Sequence, residues 1–147
     1  MMEKCIYGGG STFDGKGSLV NAPTPRSTYG ATLLPNNNII YIGGANVAFN
    51  YDSKTLNIIK GSTLTLVEVY LYDTINDNWN TKVTSGKTPS SRAYFSTILD
   101  TTLYVLDLTN YNWYVPKISG KIPSPRAFHK ANVIGKYMVV SFGKYTI

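Results

Sequence analysis

Residues 72–92 read YDTINDNWNTKVTSGKTPSSR, and residues 106–126 read LDLTNYNWYVPKISGKIPSPR. Laid over one another without a gap, they are identical at ten of 21 positions. The shared residues include Asp73 and Asp107, Asn78 and Asn112, Trp79 and Trp113, and Arg92 and Arg126. Both tryptophans of the chain hold one position of this alignment, and all three arginines hold another, because Pro23–Arg26 (PTPR) is a third copy of the closing segment. Chance seldom puts every copy of two uncommon residue types in register. The chain is an internal repeat, and the repeat constrains the fold before any local reading does.

Each segment of the repeat has its own chemistry. Leu64–Tyr72 (LTLVEVYLY) is apolar with one charge and suits a strand. Asp73–Asn78 (DTINDN) is a turn, since Asn and Asp side chains bond their own backbone and tolerate left-handed φ/ψ. Trp79–Val83 returns as a strand, SGKTPSSR is a loop, and Ala93–Leu99 is the next strand. Upstream lie strand Tyr29–Leu34, turn Pro35–Asn38, strand Ile39–Ile42, then Gly43-Gly44 and a long connection over Ala45–Ser62. Four short strands joined by tight turns make one propeller blade, and periods of ~40–50 residues mark propeller repeats.

The spacing is uneven. Arg26 to Arg92 spans 66 positions, Arg92 to Arg126 only 34. After Asp100-Thr101-Thr102 the chain passes directly into Leu103–Leu108, so the second blade lacks its Gly-Gly strand. Ile6–Gly10 resembles a further Gly-Gly strand end, and Phe142-Gly143-Lys144 is one with its second Gly lost. The expected fold is all-β: a partial propeller of about three blades' worth of antiparallel sheets, one blade lacking a strand. Its divisions are 1–25 (partial blade), 26–83 (full), 84–118 (shortened) and 119–147 (partial). An arc leaves faces and edges uncovered, so self-association through blade edges, or origin in a longer protein, is expected.

Composition agrees with this class. A chain of 147 residues suggests one domain, and its many Tyr, Thr, Val and Ile suit a pleated, half-buried surface. Charged residues make up 15%, below the roughly 25% of average domains, which excludes a disordered chain. The net charge of +6 comes from scattered lysines without the basic run that marks a nucleic-acid tail. Cys5 is the single cysteine, so no internal disulfide can form. No apolar stretch has the length of a signal core or a membrane span, and no Asn opens an N-x-S/T acceptor. The expectation is a cytoplasmic protein with neither membrane nor nucleic-acid partners.

PTPRSTYGATLLPNNNIIYIGG, followed by LYDTINDNW, resembles the kelch repeat: Pro-x-x-Arg before one strand, Gly-Gly after the next, then a Tyr-Asp…Trp hairpin. The resemblance implies a β-propeller whose structural motif here is Arg26, Gly43, Gly44, Tyr72, Asp73, Trp79, Arg92, Asp107, Trp113 and Arg126. It also implies relatives as different as cytoskeletal proteins, ubiquitin-ligase adaptors and galactose-oxidase-like copper enzymes. The motif residues suit construction. Gly43-Gly44 permits positive φ at a strand end, the tryptophans can fill space between blades, and each arginine can tie a loop to a carboxylate or to carbonyls through its forked donors.

Catalytic constellations fail one by one. The copper branch, as the resemblance implies, needs several histidines, tyrosines and a cysteine crosslinked to one of them. This chain has a single histidine, His129, and one imidazole cannot make a multi-histidine copper site. G-x-S-x-G is absent, and Gly8-Gly9-Gly10 lacks the helix and Lys of a phosphate loop. The eight carboxylates form no acid/base pair, Asp73 and Asp107 being turn residues. The expectation is a non-enzyme with no metal and no cofactor: a protein-interaction scaffold with an unidentified protein partner. Asn46, Phe49, Asn50, Tyr51 and Lys54, in the longest connection, form the candidate partner-binding loop, where Tyr and Asn suit adaptable contacts. The alternatives are a carbohydrate-binding propeller and a truncated product with no independent function.

Overall fold

The computed structural model describes residues 18–46, 50–52, 54, 58–91, 93, 104–117 and 119–120, with the backbone alone of 126–127, 130–134, 137–141 and 144–145. Cys5, Ile6–Gly10, Phe49, Arg92 and His129 lie outside the described residues, as does the expected strand Ala93–Leu99 beyond its first residue.

The described chain is strand and turn, with no helix. In order it forms β1 (Arg26–Ser27), β2 (Gly30–Leu33), β3 (Asn38–Ile42), β4 (Ala45–Asn46), β5 (Asn50–Tyr51), β6 (Ile58–Lys60), β7 (Glu68–Asp73), β8 (Asn78–Val83) and β9 (Ser85–Gly86). There follow β10 (Val105–Asp107), β11 (Asn112–Tyr114), β12 (Arg126–Ala127), β13 (Lys130–Ile134), β14 (Tyr137–Ser141) and β15 (Lys144–Tyr145). Several antiparallel sheets result, and none closes on itself among the described residues.

The largest sheet has the order β2-β3-β7-β8, antiparallel throughout, with register Tyr41↔Tyr70 and Tyr72↔Trp79. Alternation along β3 and β7 divides its side chains between two faces, as a period of two requires. One face carries Ile40, Val69 and Leu71, against which Leu34, Ile42, Leu106 and Tyr111 pack. The other carries Tyr41, Tyr72 and Trp79, against which Ala22, Tyr29, Ile39 and Tyr70 pack. Each fully buried aliphatic side chain contributes about 1.5–3 kcal/mol. Neighbouring rings stand tilted at 5.0–5.4 Å between centroids, a geometry that adds about 0.5–1.5 kcal/mol per pair beyond area.

The strand expected over Leu64–Tyr72 begins only at Glu68. Leu64–Val67 precedes the strand, its backbone bonded to Gly44, Thr65 and Thr84. Thr65 Oγ1 accepts the Val67 N–H, Thr84 donates its N–H to the Val67 carbonyl, and the Leu66 carbonyl accepts from the Thr84 hydroxyl. The loop expected at SGKTPSSR also differs: it opens with β9, which runs parallel to β11 in the sheet β10-β11-β9.

The repeat seen in the sequence recurs in the backbone. Asp107↔Asn112 and Leu106↔Trp113 in β10–β11 reproduce Asp73↔Asn78 and Tyr72↔Trp79 in β7–β8. Farther on, β12 pairs with β15 on either side of the hairpin β13–β14, as β1 pairs with β4 on either side of β2–β3. Arg26 and Arg126 hold matching places in these two clasps, opposite Asn46 and Tyr145.

Candidate functional site

Arg26 is buried, 6% exposed, where β1 meets the Gly43-Gly44 corner. Its Nε donates to the Thr24 carbonyl at 3.1 Å, Nη1 to the Gly43 carbonyl at 3.3 Å, and Nη2 to Thr24 Oγ1 at 3.4 Å. The guanidinium lies 4.5 Å from the Tyr70 ring centroid, a stacked cation–π contact. These acceptors are carbonyls and a hydroxyl, so the arginine ties the segment before β1 to the corner after β3. Gly44 is required there: at φ +99 a Cβ would sit 2.7 Å from the Ser27 carbonyl oxygen.

From this corner rises a two-stranded arm. Leu64 donates its N–H to the Gly44 carbonyl, Ala45 bridges Thr63, and Asn46 donates its N–H to the Ser62 carbonyl. The Asn46 side chain closes the same rung, donating from Nδ2 to Ser62 Oγ and accepting the Ser62 N–H at Oδ1. Farther out, β5 and β6 pair as Asn50↔Lys60 and Tyr51↔Ile58, with a shift of register between them. Ile59 is therefore the extra residue of a β-bulge, a device that re-aims side chains and locally raises twist. The Lys54 N–H donates to Asp52 Oδ1 at 2.7 Å. Ile58 and Ile59 are 49% and 66% exposed, and Lys54 and Lys60 on the same arm are exposed too.

The structure thus divides the sequence-derived candidates. Asn50, Tyr51 and Lys54 lie on the arm, whereas Asn46 is its root and is engaged with Ser62. Ile58 and Ile59 were missed by reasoning that looked for Tyr and Asn. Their signal was an adjacent pair of β-branched apolar residues between Asn57 and Lys60.

Tyr72, Asp73, Trp79, Asp107 and Trp113 join strands and close turns. Trp79 donates its indole N–H to the Ser18 carbonyl at 3.0 Å, and Trp113 donates to the Leu66 carbonyl at 3.3 Å. Each Trp therefore reaches from its own hairpin to chain that precedes that hairpin's sheet, and both are 6% exposed. Asp73 Oδ1 accepts the Ile75 and Asn76 N–H groups, and Asp107 Oδ1 accepts that of Thr109, closing the two hairpin turns alike. Hydrogen bonds from Asn76 hold the Asp73 carboxyl below its ordinary pKa. Tyr72 donates its hydroxyl to Asp77 Oδ1, and burial, with that carboxylate, pushes its pKa to about 12. Burial, with the neighbouring Tyr29 and Tyr72, likewise raises Tyr41 to about 12.

Compared with known proteins, the chain matches no family and no curated sequence. Among the described residues, no group of three or more His, Cys, Asp or Glu is placed to hold a metal ion, and no helix is long and apolar enough to cross a membrane.

Proposed function

We propose that the chain is built of kelch-type propeller units and serves as a protein-interaction scaffold, presenting the β5–β6 arm to a partner and performing no chemistry itself. The observation that carries this reading is the exposure of Ile58 and Ile59 at the outer part of an arm rooted in a rigid corner. Exposed apolar side chains grouped among polar ones mark interaction sites, and loops on rigid scaffolds are where recognition residues concentrate. The motif residues support the same division of labour: Arg26, Trp79 and Trp113 are buried and engaged with backbone carbonyls. The densest aromatic group, Tyr41, Tyr72 and Trp79, is buried in the sheet, which disfavours the sugar-binding alternative.

Site-specific photocrosslinking tests the reading. A benzophenone side chain at Ile59 is expected to give discrete protein adducts in cells, and one at Thr32, exposed on β2, is not. Equal yields at both positions would contradict it.

A further inference from the structure

We infer that the bulged arm is a receptor for an acidic protein segment carrying a large apolar side chain; this rests on reading the arm as the contact surface. Three observations converge on that chemistry. The bulge inserts Ile59 beside Ile58, so two branched apolar side chains stand together, each about half or more exposed, on a strand of three residues. Lys54 and Lys60 are exposed on the same arm, and with Asp52, whose Oδ1 accepts the Lys54 N–H, they leave it one positive charge in excess (two lysines against one carboxylate). The chain as a whole carries +6, so the field of the molecule draws an anionic partner and repels a cationic one. Apolar anchors supply affinity at such a contact, and the surrounding charges supply steering and choice of partner.

The test uses two defined probes, the capped hexapeptides Glu-Glu-Phe-Leu-Glu-Glu and Lys-Lys-Phe-Leu-Lys-Lys, titrated into the full chain with binding read by NMR shifts of backbone amides. The acidic probe is expected to bind at least about tenfold more tightly at low salt, with shifts centred on Ile58–Lys60, and to weaken as salt screens the charges. Lys54→Glu combined with Lys60→Glu is expected to reverse the order of the two probes. Ile58→Ser combined with Ile59→Ser is expected to abolish both shifts while the sheet amides stay in place. Equal binding of the two probes overturns the acidic preference but leaves the arm as the contact surface. Unaltered binding by the double serine variant, or no binding of either probe at millimolar concentration, overturns the arm itself.

Discussion

At Gly44 the backbone runs at φ +99 against the Ser27 carbonyl, and at Thr28 a β-branched residue holds φ 52 with its hydroxyl buried and without a hydrogen-bond partner. These two positions respond to substitution in opposite directions. Gly44→Ala adds left-handed strain of about 1–2 kcal/mol and a clash of about 1–3 kcal/mol, so a loss of roughly 2–5 kcal/mol is expected in urea unfolding. Thr28→Gly relieves strain and removes an unsatisfied polar group, each of order 1–3 kcal/mol, against roughly 1 kcal/mol of added chain entropy. A net gain of at least about 1 kcal/mol is expected in the same measurement. At Trp113 the ring and its N–H can be separated. Trp113→Ala is expected to cost about 3–5 kcal/mol through the lost buried volume, and Trp113→Phe about 1 kcal/mol more than the smaller ring alone accounts for, through the lost indole hydrogen bond to the Leu66 carbonyl, which keeps its Thr84 hydroxyl donor.

The four-stranded sheet and its β7–β8 turn carry the pH dependence. Asp73 has a depressed pKa in the folded chain, so its contribution is present above the unfolded value and is lost as pH falls through the folded one. Asp73→Ala is therefore expected to lower the melting temperature at pH 7 and to flatten its decline below pH 4. Tyr41 and Tyr72 shift the other way, from 10.0 to about 12. Their neutral forms are favoured by folding, so stability is full below pH 10 and falls between pH 10 and 12. Absorbance at 295 nm should show most tyrosines ionising first and these two only together with unfolding. The β7–β8 hairpin was legible in the sequence because its determinants are local: Asp73, the Asn-rich turn and the Trp79 strand are contiguous. The start of β7 was not legible, since the Leu66 carbonyl ahead of it bonds to Thr84 and Trp113, 18 and 47 positions along the chain, which no local pattern marks. The two residues of β9 escaped for the same reason, their partners lying on β11.

Across the whole molecule the sequence repeat becomes a repeat of construction. Clasped hairpins recur at β1–β4 and β12–β15, and Asp-turn hairpins at β7–β8 and β10–β11. The all-β class and the four-stranded sheet over residues 30–83 were readable from periodicity and turn residues. The arm was readable only as a connection, because its pairing depends on the Gly43-Gly44 corner and a bulge rather than on alternation. Each tryptophan stitches its hairpin to chain that precedes it. Because the chain has two indole N–H groups, a single NOESY spectrum tests it. The account predicts cross-peaks from the Trp113 indole proton to Leu66 and Thr84, and from the Trp79 indole proton to Ser18. Indole protons in fast exchange with water, with cross-peaks only within their own hairpins, would contradict it.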